Sequence, residues 1–198
     1  MVDTAWMRAR FKLGLLACAF AAAVALPATS RADIVDEVSV GGFAHDVSDI
    51  GHGKESGTAD IQLEVDTARP PILRILGAPR VNAFVSINSA GRTNSGGAGL
   101  VWDHQLFDRL YGRIDLGIAG NDGVLTAPIG SAGNYVRAHR DLLGSHLLFR
   151  EALGLEWRLT RHWAFGGEFV HESTGQIVAR GANEGINDLG LKLAYRFH

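Results

Sequence analysis

The chain has 198 residues, a single-domain length, and sets 19 Lys and Arg against 21 Asp and Glu for a formal charge of −2. That balance speaks against a nucleic-acid partner. The one cysteine, Cys18, excludes an intrachain disulfide.

In chain order, the first element is a leader. Arg8, Arg10 and Lys12 precede an apolar run from Leu13 to Leu26, and Ser30-Arg31-Ala32 offers small residues for cleavage. The run has signal-peptide length and is short for a spanning helix, so residues 1–32 read as a cleaved signal peptide and 33–198 as the mature chain. Retention as an anchor is the competing reading. A lipoprotein site at Leu15-Leu16-Ala17-Cys18 is disfavoured because most of the apolar run follows the cysteine. Loss of four cations and one anion with the leader takes the charge to −5. No later stretch has the uninterrupted apolar length of a membrane helix, so a mature chain that enters a membrane must do so as a closed barrel.

Eight segments alternate at period two, which assigns successive side chains to opposite faces of a strand. They are placed at Glu37–Asp46, Ala59–Asp66, Val81–Asn88, Gly97–Leu106, Tyr111–Ala119, Leu147–Leu159, Trp163–Ser173 and Ile186–Phe197. In the second, Ile61, Leu63 and Val65 oppose Asp60, Gln62, Glu64 and Asp66. In the sixth, Leu147 to Leu159 form the apolar face against Arg150, Glu156 and Arg158, and Glu151 is the one charge that breaks the pattern. In the eighth, Leu189, Leu191, Leu193 and Tyr195 oppose Asp188, Lys192 and Arg196. Charges of both signs on every polar face suit a narrow lumen, with the apolar face turned to lipid. The expected fold is therefore all-β, an eight-stranded antiparallel transmembrane β-barrel. A soluble secreted β-protein is the alternative.

Trp157, Trp163, Tyr111, Tyr195 and Phe197 fall near strand ends, where interfacial girdles form. With both chain ends periplasmic, the long Gly-rich connections Val47–Thr58, Ser89–Gly96, Gly120–Ser145 and Thr174–Gly185 point outward, and Phe107–Leu110 and Thr160–His162 are short turns. Thr67–Arg80, with three prolines, is too long for that rule and reads as a helical turn or a miscounted strand.

His171 and Ser173 end the seventh strand on its apolar face. Residues i and i+2 present their side chains in one direction, so the imidazole can serve as base to the hydroxyl, as acyl transfer requires. At the rim of an apolar wall such a pair would meet the ester bonds of a lipid. Taken bare, His-x-Ser is common, and a strand-end His and Ser at a wet interface is the bland reading.

His171-Glu172-Ser173-Thr174, followed by Asn183-Glu184-Gly185 and a final strand ending Tyr195-Arg196-Phe197, resembles the C-terminal signature of the lipid A 3-O-deacylase (acyloxyacyl hydrolase-like) family. Supporting stretches are Glu37–Asp46, Ala98–Trp102 and Leu143–Glu151. The resemblance implies a barrel of the bacterial outer membrane whose Ser and His hydrolyse an acyl ester of lipid A. Two departures stand out. The Asn that follows the family's Ser, a side chain associated with the oxyanion hole, is Thr174 here, with the Gly175 N–H as a further donor. The acid that orients the His aligns on Asn187, with Glu184 and then Asp188 as substitutes. These departures leave open a slow or degenerate enzyme.

The remaining histidines, His45, His52, His104, His139, His146, His162 and His198, lack metal-ligand spacing, and no metal or other cofactor is expected. Lys54, Arg92, Arg137, His139 and Arg140 on the outward loops could meet lipid A phosphates or be ordinary solvated charges. The expected partners are lipid A or lipopolysaccharide and the outer-membrane bilayer, with a homodimer left open. Two other classes compete with the hydrolase: a non-catalytic outer-membrane barrel with a structural or surface-interaction role, and a soluble periplasmic lipid-binding barrel.

Overall fold

The computed structural model describes residues 34–48, 51–178 and 181–197, without the side chains of Ser48 and His52. The leader, its cleavage point, Cys18 and His198 lie outside the described residues. Eight long strands, numbered here in chain order, form the wall: β1 Val35–Ala44, β2 Ala59–Thr67, β3 Arg80–Asn88, β4 Ser95–Phe107, β5 Leu110–Asn121, β6 Leu147–Arg158, β7 Trp163–Ser173 and β8 Ile186–Arg196. Each pairs antiparallel with its chain neighbours, and β1 pairs with β8 from Glu37↔Arg196 to Ala44↔Leu189, closing the barrel. Closure leaves no unpaired edge, as a sheet in hydrocarbon requires. Among the described residues no helix is long and apolar enough to cross a membrane.

Alternation places the strands to within about two residues, because each must set charges inward and aliphatics outward along its full length. Val38, Ile61, Leu116, Leu153, Leu191 and their neighbours stand exposed on the outer wall. Inside, the charges neutralise one another across strands. Arg80 meets Glu37 at 3.1 Å and Asp66 at 3.2 Å, and Arg113 meets Asp66 at 2.9 Å and also contacts Glu64. Lys192 joins Glu64 at 3.1 Å to Glu168 at 2.9 Å, and Arg150 pairs with Asp115 at 2.5 Å and Glu168 at 3.4 Å. The Arg150 guanidinium also lies 4.2 Å above the ring of Phe84, which faces inward on β3. Phe43 fills the bore beside Gly190, where any larger residue would strike its ring.

The chain ends and short turns share one end of the barrel. There Trp163, Tyr195 and Phe197 pack edge to face on the outer wall, with Tyr195 centroids 5.0 and 5.2 Å from its neighbours. Tyr111 differs from the girdle expectation. It shares the polar face with Arg113, and the Arg158 guanidinium stacks 3.2 Å from its ring centre. The long β2–β3 connection is a 3-10 helix, Pro71–Leu76, ended by left-handed Gly77 and tied to the wall by Trp102 Nε1 donating to Leu76 O at 2.8 Å. The opposite end carries the long loops. One contains a two-residue hairpin pairing Val47 with His52, and another contains the helix α1, Ser131–His139, which the Gly-Ser-rich sequence had not signalled.

Arg150→Leu removes the cation shared by Asp115 and Glu168 and leaves both carboxylates buried without it. The expected cost is about 3–5 kcal/mol, read as a lower unfolding midpoint in urea with the heat-modifiable gel shift as the probe.

Candidate active site

Strand parity builds the site. On β7, Glu168, Val170 and Glu172 are buried against the lumen, so Phe169, His171 and Ser173 project outward. Glu172 is anchored from inside by Ser95 Oγ, which donates to it at 3.1 Å, and so holds its two neighbours on the outer face. His171 and Ser173 are both partly exposed at the long-loop end of the wall. On one flank β8 sets Asn187 opposite His171, and on the other β6 sets Glu151 opposite His171 and Phe149 opposite Ser173.

His171 Nδ1 lies 2.7 Å from Asn187 Oδ1. With the amide oxygen as acceptor, Nδ1 carries the ring proton, and Nε2 keeps its lone pair free to accept one. The corner before β8 is shaped to the pair. Gly185 has a left-handed φ of +68°, and a methyl on it would stand 3.2 Å from His171 Cε1 and 3.5 Å from Ser173 Cβ. Glycine is thus required there twice over, for the turn and for the ring.

The other sequence-selected residues have different neighbours. Glu184 reaches away from His171, accepting from Lys54 Nζ at 2.5 Å and from the Leu142 N–H at 2.7 Å. Asp188 points into the lumen and accepts from the Asp46 N–H at 2.9 Å; the β7–β8 register runs without a shift from Ile186 to Tyr195. Thr174 is fully buried, its N–H donates to Asn183 Oδ1 at 2.8 Å, and its hydroxyl accepts from the Gln176 N–H. Gly175 and Gln176 are both left-handed, with φ of +57° and +60°, and Ile177 N–H closes the turn onto Thr174 O at 3.1 Å. The Gly175 N–H makes no hydrogen bond among the described residues. Sequence reasoning missed the supporting role of Asn183 and the position of Glu151 beside His171. Glu151 was visible as a charge on an apolar face, but one strand's period does not reveal its cross-strand partner.

A belt of loops braces this corner. Glu184 N–H donates to Leu142 O at 3.2 Å, and Leu143, Leu148 and Ile186 form a buried apolar cluster beneath. The loop cations are engaged in the belt: Lys54 with Glu184, Arg140 with Glu55 at 2.5 Å, and Arg92 with the His139 carbonyl at 3.2 Å. Inside the barrel mouth His45, Asp60 and Asp188 bring donor atoms within 4.8 Å of one another, a set that could in principle hold a cation. Protonation of the imidazole satisfies the same groups. Burial lowers the His45 pKa, but Asp188, Asp60 and Glu55 outweigh it and push it up to about 12. Burial raises the Glu55 carboxyl, yet His45, Arg140 and the Thr93 N–H bring it down to about 2. Burial and the facing carboxylate of Asp46 push Asp141 up to about 8.

These shifts fix how the belt responds to pH. Asp141 keeps its proton in the fold while the unfolded chain releases it near 3.8, so stability falls as pH rises from about 4 through 8. His45 adds a further loss once the unfolded imidazole titrates at 6.5, and the Glu55 contribution disappears below its unfolded value of 4.5. The belt should be most stable near pH 4, between the unfolded values of 3.8 for Asp141 and 4.5 for Glu55. In Asp141→Asn, hydrogen exchange at Leu142, Leu143 and Glu184, corrected for intrinsic rates, should be slower than in wild type above pH 8 and unchanged at pH 4.

The barrel resembles three solved structures. The outer-membrane enzyme PagL shares 15% identity and a TM-score of 0.51, over 80% of this chain and 97% of that one. Neisserial surface protein A shares 11% identity and a TM-score of 0.53, over 81% and 96%. A de novo designed transmembrane β-barrel shares 11% identity and a TM-score of 0.50, over 83% and 95%. At such identities the likeness is one of fold, that of an outer-membrane barrel. No curated protein matches the chain in sequence, and the homodimer gains no support from the comparisons. The profile of the lipid A 3-O-deacylase (PagL) family matches residues 82–196, from β3 to the last residue of β8 and across every residue of the His171 site. This chain, more than half of it covered by that match, belongs to the PagL family of lipid A 3-O-deacylases.

Proposed function

We propose that this outer-membrane protein hydrolyses an ester-linked acyl chain of lipid A, with Ser173 as nucleophile and His171 as base, at the level of the outer leaflet. The observation that carries the proposal is the orientation of the pair: both side chains look onto the lipid-facing wall, and Asn187 fixes the ring by its Nδ1 proton. His171 Nε2 takes the hydroxyl proton as Ser173 Oγ bonds to the ester carbonyl carbon. The oxyanion that forms is met by the Gly175 N–H, the uncommitted donor of the turn, while Thr174 shapes that turn from inside. Collapse expels the sugar alkoxide, which recovers the proton from His171. Water, deprotonated by the same nitrogen, then releases the fatty acid and regenerates Ser173.

The wall beside Ser173 suits an acyl chain. Below His171 the outward row continues through Phe169 to Gly167, which lies between Leu155 and Leu191 and leaves a dip in an otherwise aliphatic surface. A chain lying there keeps its contact with lipid, so little apolar surface is exposed to water when it leaves.

Mass spectrometry of lipid A from cells making each protein tests the reading. Wild type should release one acyl chain, and Ser173→Ala should lower the rate by about a thousandfold or more. Identical spectra for wild type and Ser173→Ala, with both proteins heat-modifiable on gels, would leave a non-catalytic barrel instead. Gly185→Ala forces a side chain against the imidazole and should cost on the order of a hundredfold in kcat while the barrel stays closed.

A further inference from the structure

The lumen consumes nearly every strand carboxylate. Among the described strand residues, Asp36, Glu37, Asp60, Glu64, Asp66, Asp103, Asp115, Glu156, Glu168, Glu172 and Asp188 each have a cationic partner. Glu151 has neither ion pair nor hydrogen bond among those residues and stands exposed on the outer wall. Its neighbours in that wall are apolar: Leu116 opposite it on β5, and Leu153 two residues along its own strand. Its one polar cross-strand neighbour is His171.

Directly opposed residues of an antiparallel pair have Cβ atoms about 4.5–5.5 Å apart, within reach of a glutamate and an imidazole. Three side chains therefore share one level of the outer face, Glu151 on β6, His171 on β7 and Asn187 on β8. Asn187 holds the ring and sets its tautomer, but an amide has no charge to set against the imidazolium that forms when Ser173 gives up its proton. A carboxylate on the opposite flank supplies that charge, in surroundings where little water competes. The geometry points to Glu151 as a positioning residue for His171, so that the orienting and charge-balancing tasks of a triad acid are divided between two strands. This inference rests on the deacylase reading above. Glu151 does not touch the ester; it acts through the ring.

Steady-state deacylation by the full chain in lipid A-containing vesicles tests it. Glu151→Gln should lower kcat at least tenfold and leave KM unchanged, and Glu151→Leu should do the same while extending the aliphatic wall, so that folding is not at issue. Placing a carboxylate on the other flank with Asn187→Asp should restore kcat in the Glu151→Gln background. Wild-type kcat in Glu151→Gln, a change confined to KM, or failure of Asn187→Asp to rescue would each overturn the assignment. A wild-type protein whose activity equals that of Ser173→Ala would instead overturn the deacylase reading itself.

Discussion

The structure depends on charge neutrality inside a tube too narrow to hold bulk water. Eight strands leave an interior just wide enough for side chains. Every ion placed there must find its counter-ion across the bore. Arg80, Arg113, Arg150 and Lys192 do so with carboxylates from five of the eight strands, so the ion lattice braces the wall from within. Such pairs add little against apolar isosteres of equal fit, but removing one member strands the other. The lattice therefore fixes register more than it adds stability.

Because the repeat is two residues, the same strand that feeds charge to the lattice must turn its alternate side chains to lipid. Glu172 in the lumen and His171 and Ser173 outside are one decision made once. A slip of one residue on β7 would send the imidazole into the ion lattice and Glu172 into hydrocarbon. Stability and the outward placement of His171 and Ser173 are thus tied to a single register, and neither can drift alone.

The wall was largely legible in the sequence because its rule is local: each strand has to satisfy water-like and oil-like surroundings alternately. The pairing of His171 with Asn187 was also readable, by alignment with a family signature. The loops were not. Helix α1 begins in a Gly- and Ser-rich stretch that has little helical preference, and its last carbonyl is met by Arg92, 47 residues away in the chain. Glu184 reads as a free loop acid, yet Lys54 and Leu142, more than forty residues distant, hold it. Tyr111 is aromatic and near a strand end, and that outweighed its parity, which placed it under Arg158. Glu151 shows the same limit from the other side: alternation exposes the anomaly, and only the β6–β7 ladder says whom it faces.

The outward-facing pair has no opposite bank. His171 and Ser173 sit on a convex flank, with neither lid nor cleft wall among the described residues beyond the turn at Gly175. In the proposed reaction the bilayer completes the enclosure. Reactants would then approach sideways, by diffusion in two dimensions, and encounter frequency would follow molecules per unit area of leaflet instead of bulk molarity. On that reading, lipid packing and fluidity become kinetic variables of the protein, as much as any residue on its surface.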